Sequence, residues 1–261
     1  MITLNDYLYS GDTLLRILHN YSGDLRRDAR KSRNEIDLAH CNFLLQITEL
    51  LEHNDFLTAQ SQKIREFYKY MAREYPFLAF TFKGSIKSLI RAEEKFNGYI
   101  VEYIYDYHME HGTYPSVSEI KNRLTCFRDL IAYRIVISMP RCHLKSEQDR
   151  EKVEEKYLYK IANVLPAFLE ERGFTVESAR GIMESPSEFL RDEVRPYYRD
   201  YVAGKTPQDY RSLHITLYDN SSRCFMEVQL RTKSMDDVAE IGPANHLGYE
   251  KGQDEARARR D

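Results

Sequence analysis

The chain runs to 261 residues, enough to bury a sizeable core in one large domain or two small ones, and 42% hydrophobic with 30% charged residues mark a folded globular protein rather than a disordered one. The 38 Lys and Arg against 41 Asp and Glu leave a net charge of −3, so any phosphate or nucleic-acid binding must come from local clusters of cations. No stretch approaches the roughly 18 to 20 consecutive apolar residues of a membrane span. The amino-terminal segment lacks the pattern of a signal peptide, and Cys41, Cys126, Cys142 and Cys224 form no C-x-x-C pair. A membrane-spanning helix and a zinc site are therefore not expected, and reduced thiols in a cytoplasmic protein are.

Helices are expected from about residue 12 to residue 75. Leu14, Leu15, Ile17 and Leu18, then Phe43, Leu44, Ile47, Leu50 and Leu51, recur at helical spacing. Between them Leu25–Arg33 (LRRDARKSR) is locally basic. A solvated helix face explains such a run; contact with a phosphate backbone through Arg26, Arg27, Arg30 and Lys31 is the functional alternative. Tyr75-Pro76 closes the region, because proline disfavours helix in the residue before it. The expected division is a helical amino-terminal region, 1–75, and a second domain, 76–255.

Ser85–Phe96 reads as an amphipathic helix, with Ile86, Leu89 and Ile90 on one stripe and Lys87, Arg91 and Lys95 on another. Three cations in line repel one another unless an anion lies alongside, so this stripe is a candidate anion site. Residues 113–124 read as a turn and short helix capped by Ser116 or Ser118. Phe127–Ile137 (FRDLIAYRIVI) reads as a core strand, with Asp129 at its entry and Arg134 inside it. Lys145–Glu171 predicts one amphipathic helix stopped by Gly173, and Phe174–Ala179 a short strand. The charged segment 181–199 reads as a surface excursion.

Leu213–Leu217 and Cys224–Thr232, joined by the turn-like Tyr218–Arg223, predict an antiparallel hairpin. In the first strand Leu213, Ile215 and Leu217 alternate with His214 and Thr216; in the second Met226, Val228 and Leu230 alternate with Glu227, Gln229 and Arg231. The following helix opens with the capping-box pair Ser234 and Asp237 and is disturbed at Gly242-Pro243.

Pairing these strands gathers Arg134, His214, Glu227, Gln229 and Arg231 on one polar face, with Asp129 at a strand entry. Taken singly, each has an ordinary reading as a solvent-facing or capping residue. Two carboxylates beside several cations suit Mg²⁺ and a polyphosphate, since Mg²⁺ prefers one or two carboxylates plus phosphate oxygens. No G-x-x-x-x-G-K-[ST] or G-x-G-x-x-G loop is present, which disfavours P-loop enzymes and dinucleotide-binding dehydrogenases.

The segments SIKSLIRAEEK, FRDLIAYRIVI, DYVAGKTPQDYRSLH and MEVQLRTKSMDDVAEIGPANHLGYEK resemble, in order and spacing, the synthetase domain of RelA/SpoT-type alarmone synthetases from about residue 80 to 250. The resemblance implies an α+β fold, a mixed β-sheet flanked by helices and related to nucleotidyltransferases, in a small stand-alone synthetase without a hydrolase domain. It implies a GTP pyrophosphokinase that moves the β,γ-pyrophosphate of ATP to the ribose 3′-hydroxyl of GDP or GTP. Asp129 and Glu227 would hold Mg²⁺, with Glu227 activating the hydroxyl. Lys87, Ser88, Arg91, Lys95 and Arg134 would serve ATP; Tyr210 would stack on the acceptor base, with His214, Lys205, Arg199, Gln229 and Arg231 around it.

The chain departs from the family pattern in two places near the site. Ser85 stands where an Arg packs on the donor adenine. Lys205-Thr206-Pro207-Gln208-Asp209-Tyr210 is one residue longer than the usual Lys-Pro-Asn-Gly-Tyr and puts an acid beside the tyrosine. These departures leave the acceptor open: a guanosine nucleotide, an adenine nucleotide, or the 3′ end of tRNA as in toxic members of the family, with a cognate antitoxin. A catalytically inactive nucleotide sensor is the reading from a different class. Small members are often oligomers, and the resemblance extends that expectation to this chain.

Overall fold

The computed structural model describes residues 4–8, 14–52, 54–86, 96, 98, 100, 102–116, 118–120, 128–129, 131–145, 149–179, 187–204, 206, 209–221 and 223–240. They belong to two compact units, Met1–Ala59 with Lys87–Arg128, and Gln60–Ile86 with Asp129–Asp261. No helix among the described residues is long and apolar enough to cross a membrane.

The first unit contains α1 (Asn5–Leu8), α2 (Leu14–Ser32) and α3 (Glu35–Glu52), as the helical spacing predicts. The stripe Ile17, Leu18, Tyr21, Leu25 and Ala29 of α2 is buried, as are Cys41, Phe43, Leu44 and Ile47 of α3. The connection is tight. Arg33 adopts a left-handed φ of 55°, and the Asn34 side chain accepts hydrogen bonds from the Ile36 and Asp37 amides, capping α3. His40 stacks on Phe96 at 4.3 Å, and burial pushes the Cys41 thiol up to about 11. In the same unit lie α5 (Glu102–His111) and the turn at Ser116. There Ser116 and Glu119 bond reciprocally, amide to side chain, which settles the cap on Ser116 rather than Ser118.

The second unit holds most of α4 (Asn54–Glu74) and a six-stranded sheet. Its strands are β1 (Ala79–Ile86), β2 (Ile131–Ser138), β3 (Phe174–Val176), β4 (Tyr198–Asp200), β5 (Leu213–Asp219) and β6 (Cys224–Thr232). The order is β1-β2-β6-β5-β3, with β4 also on β5; β2 and β6 run parallel and every other pair antiparallel, so the sheet is mixed and the fold α+β. One face is apolar: Tyr133, Ile135, Leu213, Ile215, Leu217, Met226, Val228 and Leu230 are all buried. Beneath it lie α6 (Arg150–Ala162) and α7 (Leu165–Glu170), whose Leu158, Ile161, Leu165 and Leu169 are fully buried. The buried Tyr198 hydroxyl donates to the Ala162 carbonyl at 2.7 Å, tying β4 to α6. On the polar face α8 (Lys233–Glu240) meets β2 and β6 through Asp236.

Four expectations are corrected. Ala79–Ile86 is a strand, so Ser85 and Ile86 end β1 instead of opening a helix; residues 87–95 lie outside the described residues. The single helix over 145–171 is two, broken at Asn163–Val164 because Pro166 lacks an amide and fits only a first helical turn. The end of the charged excursion, Tyr198 and Arg199, belongs to the strand β4. Finally, α8 is capped by Thr232, whose hydroxyl accepts from the Met235 amide at 3.3 Å, two residues before the Ser234 box.

Candidate active site

Strand register explains why the polar residues meet. Lys83 pairs with Arg134, Arg134 with Gln229, Gln229 with His214, and His214 with Arg199. Directly paired residues share a face, so these five form one line across β1, β2, β6, β5 and β4. One step along, Ala132 pairs with Glu227 and Glu227 with Thr216. The small Ala132 leaves room beside the carboxylate.

Glu227 is the centre. It is 5% exposed and its oxygens receive three donors. Arg199 Nη2 lies 2.5 Å from Oε2, while Gln229 Nε2 and His214 Nδ1 lie 2.7 and 3.2 Å from Oε1. Burial pushes the Glu227 carboxyl up, but His214, Arg199 and the Gln229 hydrogen bond outweigh it and hold the group well below the usual carboxylate range. It is a buried, ionised carboxylate with compensated charge.

His214, 8% exposed, faces Glu227 with Nδ1 and the Tyr210 hydroxyl with Nε2 at 2.8 Å. The carboxylate can only accept, so Nδ1 carries the proton and Nε2 accepts from the tyrosine. Tyr210 in turn accepts from Arg231 Nη2 at 2.7 Å, and the Arg231 guanidinium lies 5.1 Å from its ring centroid. Tyr201, which the sequence reading did not select, packs edge-on against both His214 at 5.0 Å and Tyr210 at 6.0 Å. Tyr210 is therefore half-buried, with its hydroxyl turned into the network. The preceding residue, Asp209, adopts a left-handed φ of 56°.

The structure thus brings Arg199, Tyr210, His214, Glu227, Gln229 and Arg231 together. Arg134 sits on the same face but toward α8, with Nη1 3.3 Å from Asp236 and 2.6 Å from Glu240. Asp129 is half-buried, two residues before β2. Lys87, Ser88, Arg91, Lys95 and Lys205 lie outside the described residues. Two groups were missed at the sequence level: Tyr201, and Asp236, which carries no signal beyond helix patterning; Lys83, read from sequence only as a substitute for the Arg absent at Ser85, lies on a strand that was not foreseen.

Among the described residues no group of three or more His, Cys, Asp or Glu side chains is arranged to hold a metal ion. A site with few carboxylates suits Mg²⁺, which takes one or two and completes its shell with water and phosphate oxygens. Glu227 is a carboxylate of that kind, and Asp129 stands two residues before β2, the strand that pairs with β6. With Arg199, His214 and Gln229 on the carboxylate and Arg231 on Gln229 and Tyr210, the face presents donors and positive charge that suit an anion.

The family model described as the region found in RelA / SpoT proteins matches residues 101–254. A protein named GTP pyrophosphokinase from Escherichia coli (strain K12) is 36% identical over 75 residues, 29% of this chain and 9% of that one. GTP pyrophosphokinase rsh from Brucella ovis is 42% identical over 52 residues, 20% of this chain and 7% of its own length. The matched stretch is thus under a tenth of either relative. The crystal structure of small alarmone synthetase 1 from Bacillus subtilis aligns over 77% of this chain and 78% of its own, at 16% identity and a TM-score of 0.39.

Proposed function

The chain belongs to the family built on the region found in RelA / SpoT proteins, and on that premise we propose that it transfers pyrophosphate from ATP to the ribose 3′-hydroxyl of GDP or GTP. The observation that carries the reading is Glu227: a buried, ionised carboxylate at the centre of a cationic polar face. In the step, the 3′-oxygen attacks the β-phosphorus of ATP and the bond from that phosphorus to the α,β-bridging oxygen breaks. AMP leaves, and the hydroxyl proton passes to Glu227. Arg199, which pairs with Glu227 here, supplies positive charge for the acceptor phosphates, and His214 hydrogen-bonds to Glu227 beside it. Gln229 and Arg231 hold the floor, and Tyr210 borders the acceptor base. Arg134 and the Lys87–Lys95 stripe serve ATP. Glu227 and Asp129 would hold Mg²⁺, which when bound neutralises phosphate charge.

Incubation with labelled ATP, Mg²⁺ and GDP, GTP, ADP or tRNA tests the reading directly. Label should move to a guanosine nucleotide, and Glu227→Gln should reduce transfer by about 10³-fold or more while the far-ultraviolet dichroism stays unchanged. Full activity in that variant would overturn the mechanism; no transfer to any acceptor would favour a sensor. One observation favours tRNA as a second acceptor: Arg26, Arg27, Arg30 and Lys31 are all exposed on α2. If tRNA is the acceptor, replacing all four with Ala weakens binding and flattens its dependence on salt.

A further inference from the structure

Asp236 is a buried carboxylate, 4% exposed, that gathers cations from three strands. Lys83 Nζ of β1 lies 3.1 Å from Oδ2; Arg134 Nη1 of β2 and Arg231 Nη1 of β6 each lie 3.3 Å from Oδ1. A first-turn acid of α8 gains something from the helix dipole, but that does not require three partners. The informative one is Arg231. Its guanidinium is held on one edge by Asp236, and its Nε donates to Ser212 Oγ at 3.3 Å. Its Nη2 donates to the Tyr210 hydroxyl at 2.7 Å and to Gln229 Oε1 at 2.9 Å.

Those two acceptors are the groups that touch the Glu227 centre. Because Gln229 Oε1 faces Arg231, its amide nitrogen must face Glu227, where it donates at 2.7 Å. Because the Tyr210 oxygen accepts from Arg231, its own proton is free for His214 Nε2. A single carboxylate on α8 thus fixes one guanidinium, and that guanidinium fixes the orientation of the two side chains flanking Glu227 and His214. Lysine could not do this, having no planar fork.

Resting on the reading of the Tyr210–His214 side as the acceptor side, we propose that Asp236 is a positioning residue for the acceptor nucleotide, acting through Arg231 on Tyr210 and Gln229. It does not contact the nucleotide. Neutralising it frees Arg231 from one edge and also releases Lys83 and Arg134, so the two substrates respond differently. Acceptor affinity falls, while affinity for the ATP phosphates holds or rises.

Titration calorimetry on the full chain with Mg²⁺, using GDP and α,β-methylene ATP as separate probes, distinguishes this from a general structural role. Asp236→Asn should weaken GDP binding by about tenfold, the size of one lost charged hydrogen bond, and leave the ATP analogue unweakened. In a Tyr210→Phe background the same substitution should cost GDP clearly less, because both changes break one chain. If Asp236→Asn does not fold, Arg231→Lys serves in its place, keeping the charge but unable to hold Asp236 and Tyr210 together. It should show the same selective loss of GDP. Equal weakening of both probes, unchanged GDP affinity, or full additivity with Tyr210→Phe overturns the inference and leaves the proposed reaction standing. Failure of the unaltered chain to bind GDP overturns both.

Discussion

At Asp209 the backbone takes φ 56°, a region that costs an ordinary L-residue strain and that Gly enters freely; Asp is among the few that tolerate it. The resemblance places Gly at this point before the tyrosine, so the acid occupies a position shaped for glycine. Asp209→Gly should raise stability by about 0.5 kcal/mol and Asp209→Val should lower it by about 1–2 kcal/mol, read from the urea midpoint. Equal midpoints for the two variants would show that the loop relaxes. At the same scale, alternation along β5 and β6 was enough to put His214, Glu227, Gln229 and Arg231 on one face. The direction of the Tyr210 hydroxyl was not legible. A loop side chain has no period, and this one turns inward because His214 and Arg231 offer it an acceptor and a donor.

The least visible element is β1. Its Phe80 and Phe82 alternate with Thr81 and Lys83, but Gly84 and Ser85 interrupt the pattern just where apolar residues at helical spacing begin. The strand forms because β2 offers eight partners, Ala79 to Ile86 against Ser138 to Ile131. Gly84 matters through close packing rather than turn geometry. A Cβ there would lie 3.1 Å from Cε1 of Tyr133, whose ring also stacks on Phe82 at 5.7 Å. Gly84→Ala should therefore destabilise the second unit by about 1–3 kcal/mol, as overpacking does, and Gly84→Ala with Tyr133→Leu should recover part of it. An unchanged thermal midpoint in the single variant would contradict this packing. The cap of α8 shows the same limit on reading. Ser234 and Asp237 match a capping box in sequence, but β6 runs straight into the helix and delivers Thr232 to the cap position first.

For the second unit as a whole, the charges of the polar face are paired, with the cations in excess: Lys83, Arg134 and Arg231 meet Asp236, Arg134 also meets Glu240, and Arg199 meets Glu227. Burial pushes the Asp236 carboxyl up, but Lys83, Arg134 and Arg231 outweigh it and hold the group below its usual range. The unfolded chain therefore takes up a proton at higher pH than the folded one. This contribution to stability is complete above about pH 5 and drains away as the pH falls through and below about 4. Thermal midpoints should be flat from about pH 7 to 5 and then drop, and Asp236→Asn should make the acid limb shallower. An identical acid limb in that variant would mean the contacts of Asp236 with Lys83, Arg134 and Arg231 do not hold in solution. By itself the sequence determined the helical amino-terminal elements, the hairpin, the polar row on it and the family, because these are written in periods of 3.6 and 2 and in contiguous signatures. Only the tertiary structure decided that β2 lies parallel to β6, that Arg199 closes on Glu227, and that Asp236 anchors Arg231. Those facts depend on register and on charges far apart in the chain finding one buried partner, and no local pattern encodes either.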